Sequence, residues 1–415
     1  MMDVEFVELN KQLTKNIKIY NINIVLSTLA RTLPHAILTV LLLDKGVSIS
    51  GIAFIQAMYS LAMILCEFPS GIIADLYSRK FVYIFSLISL SSSYLFIIFS
   101  DSLILLCLSW FIYGVSSAMD TGTLDAQIIN EIKLNNDENG LQKFLKNINQ
   151  LSLISSIFGS AIGSFLFFKI GVNIYWISII LILLVLVITS KYFIINEEAK
   201  NDTDSPKILD HIKGSFYELK KTPELMLFIT LFGIGQFFFQ PHFQLWQVLF
   251  LYKEVNEKWF FVLYIVFQLI TIVSYNINIK RVTTNKIFFI SLMGILFLIS
   301  SLFIENIYLF IIFYLFTCYM AFVINYFTNF SYNKIIPREK ISSLTSLSST
   351  ITRLFSFFIL LISSFMLNII SVTLYFLFSF GLMFLSSMLL IVLLQKKKST
   401  EGLLVTKKEF EGNIG

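Results

Sequence analysis

The chain has 415 residues, of which 56% are hydrophobic and only 14% are charged. So little charge cannot cover the surface of a water-soluble protein of this size, which excludes a soluble globular fold. The net charge of +5 comes from 31 basic and 26 acidic residues. Because the basic residues lie at the ends of apolar runs, they indicate membrane topology rather than nucleic-acid binding.

Apolar runs long enough to cross a bilayer recur along the whole chain. A helix needs about 20 apolar residues to span the hydrocarbon, and most of the runs are separated by short loops. The pattern predicts an all-α integral membrane protein with twelve transmembrane helices. In chain order we expect them at 17–43, 48–73, 79–100, 102–131, 142–170, 172–195, 223–252, 256–279, 285–303, 305–334, 340–367 and 370–395.

The loops on the two sides of the membrane differ in charge. The side with the N-terminus holds about 25 Lys and Arg residues and the opposite side about four. Because basic loops stay in the cytoplasm, both termini are predicted to be cytoplasmic, and an even number of spans requires the same. Abundant Ile, Asn, Lys and Phe fit an AT-rich genome, so a bacterial plasma membrane is the expected location.

The longest polar stretch, residues 196–222, divides the chain into two groups of six helices. The predicted domains are a six-helix bundle at 1–195, a cytoplasmic linker at 196–222, a second six-helix bundle at 223–395 and a cytoplasmic tail at 396–415. In the linker, apolar residues from Ile208 to Leu219 recur at helical spacing with lysines between them, which predicts an amphipathic helix on the membrane surface. A disordered tether is the alternative.

The two halves share a short pattern. Pro34-His35 in the first predicted helix and Pro241-His242 in the seventh are 207 residues apart, and Lys45 and Lys253 follow them at similar distances. A duplicated six-helix unit leaves such a trace. The sequence therefore predicts two pseudo-symmetric bundles.

The loop after the second predicted helix reads GIIADLYSRK, residues 71–80. It resembles the signature Gly-x-x-x-Asp-Arg-x-Gly-Arg-Arg/Lys between helices two and three of the major facilitator superfamily. The matching residues are Gly71, Asp75, Arg79 and Lys80. Leu76 stands where the family has Arg, and Ser78 where it has Gly. The resemblance extends to the twelve-helix pattern of the whole chain and implies the major facilitator fold.

These residue types suit a conformational switch. A glycine at position 71 allows another helix to approach closely, and Asp75 at a helix end can accept hydrogen bonds from a neighbouring helix N-terminus. Arg79 can reach a carboxylate at the cytoplasmic end of helix four, with Asp125 as first choice and Glu131 as second. Such a cluster would latch the halves in one state and release them in the other. A plain topogenic charge pair is the alternative reading.

Two signatures of the superfamily's drug–proton antiporters are only partly present. These antiporters carry an Arg four residues before a Gly in helix four, and here Trp110 stands four residues before Gly114. They also carry Gly-Pro-x-x-Gly-Gly in helix five, where this chain has Gly159-Ser-Ala-Ile-Gly163-Ser. The small residues still predict tight helix packing, but proton coupling loses its usual arginine.

Ionisable residues inside the membrane cost about 2.5–3.5 kcal/mol or more, so they usually face a cavity or a partner. Arg31 and Asp120 lie on helices one and four, which line the central cavity in the superfamily. Glu67 is a candidate proton-binding carboxylate, and Arg353 lies deep in helix eleven. A permanent ion pair of Arg31 with Asp120 or Glu67 is the structural alternative.

Polar residues on helices seven and ten predict a wet pocket. Gln236, Gln240 and Gln247 fall near one face of helix seven, and Pro241 can bend that helix. The histidines can titrate near neutral pH, although a hydrogen-bonded structural histidine is an equal alternative. The further substrate- or proton-binding candidates are therefore His35, Gln236, Gln240, His242, Asn325 and Asn329.

The sequence contains no phosphate-binding glycine loop, metal-ligand cluster or nucleophile elbow, so neither enzymatic activity nor a cofactor is expected. The leading hypothesis is a monomeric secondary transporter that exports a small amphipathic or hydrophobic compound in exchange for protons. Uptake of an anionic metabolite held by Arg31 and Arg353 is the second hypothesis. The third is a non-transporting membrane receptor or assembly factor with the same fold. The expected partners are the substrate, protons and the lipid bilayer, and not nucleic acid.

Overall fold

The computed structural model of the protein describes residues 2–35, 37–76, 78–135, 138–194, 223–336 and 341–389. The regular secondary structure in these ranges is entirely helical. Its α-helices are α1 Met2–His35, α2 Leu38–Asp44, α3 Ile49–Leu76, α4 Arg79–Phe99, α5 Leu103–Asp120, α6 Leu124–Leu134, α7 Glu138–Ile170, α8 Ile174–Tyr192, α9 Pro223–Tyr252, α10 Phe260–Tyr275, α11 Thr284–Phe303, α12 Ile307–Ile335, α13 Ile341–Met366 and α14 Val372–Leu389.

The predicted twelve-helix, all-α architecture is confirmed. Ten stretches of the described chain are long and apolar enough to cross a membrane, and the bent pair of α1 and α2 passes the same test as one span. One of the ten stretches, Asn139–Tyr192, contains both α7 and α8, which a 3₁₀ turn at Gly171–Asn173 joins. The described residues therefore hold twelve apolar spans, as the sequence indicates, and the protein crosses the membrane several times.

Two predicted helices are broken in the structure. The predicted helix at 17–43 consists of α1 and α2, which meet at an angle of 47° just after Pro34. The predicted helix at 102–131 consists of α5 and α6, and the chain turns between them at Gly122, whose φ is +71°. Proline removes a backbone donor and a left-handed glycine ends a helix, so both breaks have a local cause.

The described residues form two compact units. The first contains α1 to α8 together with Asn256–Ile265, and the second contains α9 and the described chain from Val266 onward. The predicted linker at 196–222, with its amphipathic helix, lies outside the described residues. So do the predicted tail at 396–415 and the last six residues of the predicted helix at 370–395.

Close helix packing in the first unit depends on small residues. A Cβ atom added to Gly163 would overlap the carbonyl oxygen of Leu33, and one added to Gly159 would overlap the Thr32 hydroxyl. α7 therefore lies directly against α1 at the partly preserved helix-five signature. The tight packing predicted for these glycines is confirmed.

Among the described residues, no side chain or backbone atom closely approaches Gly71, so its role in the predicted switch stays a prediction. The glycine is exposed, and a Cβ added to it meets nothing within 4 Å among the described residues. The close contact of α3 lies further toward its N-terminus, where a Cβ on Gly114 of α5 would come within 2.5 Å of the Tyr59 carbonyl oxygen.

The shared Pro-His pattern of the two halves leads to a repeated corner. α2 and α9 are each followed by a lysine and then by a residue with positive φ, which is Gly46 at +80° after α2 and Glu254 at 59° after α9. The backbone N–H groups of Lys45, Gly46 and Val47 donate to carbonyls four, three and five residues back. Those of Lys253, Glu254 and Val255 repeat this pattern.

The two lysines also hold equivalent helix ends. The Lys45 ammonium donates to the Ser100 carbonyl at 3.1 Å, beyond the last residue of α4, and pairs with Asp101 at 2.6 Å. The Lys253 ammonium donates to the carbonyls of Leu302 and Ile304 at 2.6 and 3.2 Å, at the end of α11. A cation at a helix C-terminus satisfies carbonyls that lack an intrahelical donor. Burial lowers the pKa of Lys253, and Glu305 opposes that shift.

Pro34 of α1 and Pro241 of α9 free one carbonyl each, and a hydroxyl from another helix takes it. Pro34 cannot donate to Ala30, whose carbonyl accepts a bond of 3.4 Å from the Tyr94 hydroxyl. Pro241 cannot donate to Phe237, whose carbonyl accepts a bond from Ser379. Lipid cannot replace the lost donor, so these hydroxyls stabilise both helices at their prolines.

Glu254→Gly is expected to stabilise the protein by about 1 kcal/mol, because glycine adopts positive φ without the steric cost that Glu254 carries. Gly46→Glu, the matched change in the first half, should destabilise it by a similar amount. Thermal unfolding of both purified variants in detergent measures the two effects. Identical melting temperatures for both variants and the natural protein would contradict strain at this corner.

Gly163→Ala is expected to destabilise the protein by about 1–3 kcal/mol, because its methyl group would overlap the Leu33 carbonyl and push α7 from α1. Gly71→Ala is the matched control, since its methyl group enters open space and alanine favours a helix. Thermal unfolding in detergent again provides the measurement. A Gly163→Ala protein as stable as the Gly71→Ala protein would show that the helix contact is looser than the structure has it.

Candidate functional site

An ion pair inside the first unit joins two of the predicted site residues. The Arg31 guanidinium of α1 lies 3.1 Å from the Asp120 carboxylate at the end of α5. Its other terminal nitrogen donates to the Ser117 hydroxyl, also at 3.1 Å. Of the two partners that the sequence leaves open for Arg31, the structure pairs it with Asp120.

The pair is incomplete, which leaves part of each group available. Only one carboxylate oxygen, Oδ2, takes the guanidinium, so the contact is not the two-bonded fork that Arg and carboxylate can form. The Asp120 side chain is 35% exposed and that of Arg31 is 19% exposed. Part of each charged group therefore lies at the surface of the described structure.

Tyrosines from several helices surround the ion pair. The Arg31 guanidinium lies 5.7 Å from the centre of the Tyr113 ring, close enough for a cation–π contact. Tyr113 makes edge contacts with Tyr59 of α3 at 5.3 Å and with Tyr94 of α4 at 6.1 Å, and Tyr94 contacts Tyr175 of α8 at 4.9 Å. Tyr94 and Tyr175 are buried, whereas Tyr59 and Tyr113 are half-buried on the side of the ion pair.

Trp110, which replaces the arginine of the antiporter signature, is part of the core. Its indole N–H donates to the Gln56 side-chain oxygen at 3.2 Å, and both side chains are buried. The bond ties α5 to α3 one turn beyond the close contact at Gly114. Trp110 thus holds two helices together at the position where the antiporters carry a cation.

In the second unit, two of the predicted glutamines form a network with a serine of α13. The Gln240 amide donates to the Gln236 side-chain oxygen and to the Ser356 hydroxyl, both at 3.0 Å. Ser356 in turn donates to the Gln236 oxygen at 3.1 Å. The glutamines are half-buried, so this triad presents neutral amide groups at the surface of α9.

His242 is enclosed by aromatic rings. It is 1% exposed, and its Nδ1 atom lies 3.0 Å from the Tyr314 hydroxyl and 3.6 Å from the Cys318 sulfur. The Phe238 ring stacks on it at 5.4 Å, and Phe267 contacts it at 4.9 Å. Of the two alternatives for this histidine, the surroundings favour the hydrogen-bonded structural one.

The remaining binding candidates lie on α1, α3, α12 and α13. Asn329 donates to the Asn325 backbone and side-chain oxygens on α12, at 3.0 and 3.3 Å. His35 ends α1, Glu67 lies on α3 and Arg353 on α13, and all three are half-buried. Their roles in binding stay predictions.

Lys80, a residue of the predicted switch, contacts α8 within the first unit. Its ammonium donates to the Ser190 and Phe193 carbonyls at 2.9 and 2.7 Å, so it caps the C-terminal end of α8. Asn16 of α1 exchanges two hydrogen bonds with the Ile194 backbone, at 2.8 and 3.2 Å. Together these contacts hold the C-terminal end of α8, the last helix of the first unit before residue 195.

The other switch residues stay predictions. The side chain of Asp75 lies outside the described residues. Asp125 is at the start of α6, where backbone N–H groups donate to its carboxylate, and Arg79 is half-buried at the start of α4. Glu131, the second choice as partner for Arg79, is buried and accepts a bond of 2.9 Å from Gln127.

Sequence reasoning missed three residues that complete these clusters: Tyr113, Ser117 and Ser356. Tyr113 and Ser117 precede Asp120 by seven and three residues, so all three lie on one face of α5. Ser356 follows Arg353 by three residues on α13 in the same way. A search for polar residues at helical spacing around each buried charge would have found them.

The comparisons with known proteins agree with the fold. Residues 21–132 match the family model described as the Major Facilitator Superfamily. A mutant form of the nucleoside transporter NupG superposes with a TM-score of 0.71 at 15% identity, over 92% of this chain and 99% of that one. No curated protein matches the chain by sequence.

Two further solved structures show the same likeness. A D-xylose-proton symporter superposes with a TM-score of 0.69 at 10% identity, over 91% of this chain and 96% of that one. The human organic anion transporter MFSD10 does so with a TM-score of 0.56 at 14% identity, over 92% and 98%. The chain therefore has the fold of major facilitator transporters. Its first 132 residues contain the stretch that carries the sequence pattern of that superfamily.

His242→Phe is expected to destabilise the protein by about 1–3 kcal/mol, because it leaves the buried Tyr314 hydroxyl without its nitrogen partner. Adding Tyr314→Phe should restore most of the loss, since both polar groups are then replaced by apolar ones. Thermal unfolding measures stability, and uptake into proteoliposomes measures activity. If the double variant regained stability but lost transport, His242 would have a functional role that its surroundings do not suggest.

Proposed function

We propose that the protein is a secondary active transporter that exports a small amphipathic or hydrophobic compound in exchange for protons, by alternating access. The observation that carries the proposal is the partly exposed Arg31–Asp120 pair inside an apolar bundle. Charged groups within membrane spans are costly and usually serve a pathway or a partner. The fold and the pattern match at residues 21–132 support transport as the general activity.

The exchange of proton for substrate would take place at Asp120. When the pair is formed, the Asp120 carboxylate accepts one hydrogen bond from the Arg31 guanidinium rather than two. A proton on the free oxygen makes the carboxylic acid neutral and releases the guanidinium, and departure of that proton restores the pair. A cationic or hydrogen-bonding substrate would compete with the proton for the same carboxylate, which links the two movements.

Arg31 supports a second candidate function, the uptake of an anionic metabolite. A guanidinium released from Asp120 offers two terminal nitrogens at the right spacing for a carboxylate or phosphate. The organic anion transporter MFSD10 among the similar folds is consistent with this alternative. In this case proton and anion would move in the same direction, because the proton on Asp120 makes Arg31 available.

The setting of the proposed activity follows from the loop charges. We place both termini in the cytoplasm and the protein in a bacterial plasma membrane, where a proton gradient is available to drive transport. A single chain with two six-helix bundles is sufficient for alternating access, so we propose a monomer.

Asp120→Asn is expected to abolish the effect of an imposed pH gradient on transport, because an amide cannot exchange a proton. Proteoliposomes containing the full chain would be tested with ethidium as an amphipathic cation, benzoate as an organic anion, and uridine and D-xylose as neutral compounds. Asp44→Asn is the matched control, since this carboxylate is exposed at the end of α2 and should leave coupling unchanged. Glu67→Gln tests the second carboxylate in the same assay.

The direction of movement decides between the two candidates. Proton-driven loss of ethidium that Asp120→Asn abolishes supports export, whereas proton-driven accumulation of benzoate that Arg31→Ala abolishes supports anion uptake. Transport of any probe that ignores the pH gradient in the natural protein, and is unchanged in Asp120→Asn and Glu67→Gln, would contradict proton coupling through these carboxylates.

A further inference from the structure

Arg31 is connected to Tyr94 through its own backbone. The Ala30 carbonyl, which accepts a bond from the Tyr94 hydroxyl at 3.4 Å, belongs to the peptide group that joins Ala30 to Arg31. That carbonyl is free because Pro34, four residues on, has no N–H to donate. The hydroxyl of α4 therefore holds α1 at the peptide that carries the charged residue.

Arg31 is connected to Tyr94 a second time through its side chain. The guanidinium lies over the Tyr113 ring at 5.7 Å, and the Tyr94 ring supports Tyr113 by an edge contact at 6.1 Å and 64°. Such edge contacts hold aromatic rings in a preferred geometry. A movement of Tyr94 would therefore change both the backbone and the ring on which Arg31 depends.

Tyr94 is well placed to be rigid. It is 2% exposed, whereas the Arg31 side chain is 19% and the Asp120 side chain 35% exposed. Behind it, Tyr175 of α8 closes the stack at 4.9 Å and is also buried. The ion pair thus lies at the exposed end of a stack whose far end is fixed in the core.

We propose that Tyr94 is a positioning residue, which fixes the Arg31 guanidinium relative to Asp120 through the Ala30 carbonyl and the Tyr113 ring. Its consequence for transport depends on the proposed function, but its effect on Arg31 does not. Tyr94→Phe keeps the ring and removes the hydroxyl, so it removes the polar contacts with the Ala30 carbonyl and with Tyr113 but keeps the packing of the stack.

The guanidinium itself can be observed by magic-angle-spinning NMR of the full chain in lipid bilayers, labelled with [¹⁵N]arginine. The chain has five arginines, and Arg31→Lys identifies the signals of Arg31. In the natural protein we expect two resolved terminal nitrogens for Arg31, because one is bonded to Ser117 and the other to Asp120. In Tyr94→Phe we expect these two signals to merge as the guanidinium begins to rotate.

Tyr175→Phe is the matched control, since it removes a hydroxyl from the same stack one ring further from Arg31. It should leave the Arg31 signals resolved. The signals of the other four arginines report whether each variant is folded. Merged Arg31 signals in the natural protein, unchanged signals in Tyr94→Phe, or equal merging in Tyr175→Phe would each overturn the proposal.

Pro34→Ala provides a second test, in which the Tyr94 hydroxyl is removed from a protein whose Ala30 carbonyl has another donor. Alanine at this position supplies an N–H for the Ala30 carbonyl, so the Tyr94 hydroxyl is no longer its sole donor. Removing the hydroxyl should then have less effect. The Arg31 signals of the double variant Pro34→Ala, Tyr94→Phe should therefore stay more resolved than those of the single variant Tyr94→Phe. Equal merging in both would show that the hydroxyl acts by another route.

The link to transport is measured separately in proteoliposomes with the probe that the natural protein carries. Tyr94→Phe should raise the KM for that probe about fivefold, the effect of one ordinary hydrogen bond, while Tyr175→Phe leaves it unchanged. Altered NMR signals with an unchanged KM would confirm the positioning of Arg31 and contradict its use in transport. Unchanged NMR signals together with a lower maximal rate at constant KM would instead indicate a purely structural role and overturn the proposal.

Discussion

Lipid hydrocarbon offers no hydrogen bond to a polypeptide, so each backbone carbonyl inside a span needs a partner from the protein. Much of this structure follows from that one requirement. Pro34 of α1 and Pro241 of α9 each free a carbonyl, and the hydroxyls of Tyr94 and Ser379 take them. Beyond the ends of α4 and α11, where carbonyls also lack donors, the ammonium groups of Lys45 and Lys253 do the same. The side chains that meet the requirement are also those that connect one helix with another.

The charged pair of the first unit is placed by this backbone arrangement. Arg31 follows the carbonyl that Pro34 releases, and the hydroxyl that satisfies the carbonyl belongs to the ring stack beneath the guanidinium. A break in a helix is a place where the chain can move at small cost. A change in the angle between α1 and α2 would therefore alter the contact between Arg31 and Asp120. Conversely, protonation of the carboxylate would remove one of the forces that hold α1 in place.

The apolar runs predicted all twelve spans because the thickness of the bilayer dictates their length and composition. They could not predict that two spans are broken, since a single left-handed residue such as Gly122 decides this locally. The sequence also indicated that Arg31 could pair with Asp120 or with Glu67, but it could not decide which carboxylate is the partner. Helical spacing gives the face on which a residue lies, but the rotation of one helix against another comes from packing, here from glycines such as Gly163. The short repeated Pro-His and Lys pattern predicted two similar halves. In both halves the proline frees a carbonyl and the lysine binds carbonyls at a helix end.

The two units carry different polar side chains on and beside their proline-containing helices, and we propose that this difference bears on function. Around α1 the polar residues form an ion pair with tyrosines, whereas around α9 Gln236, Gln240 and Ser356 form a neutral triad. Amides and hydroxyls do not change charge between pH 5 and 8, so binding at the triad is insensitive to protons in that range. His242, which could titrate there, is enclosed by rings and bonded to Tyr314. Proton coupling is therefore better sought at Asp120 than on α9, and the triad is better suited to recognise the neutral, hydrogen-bonding part of a substrate.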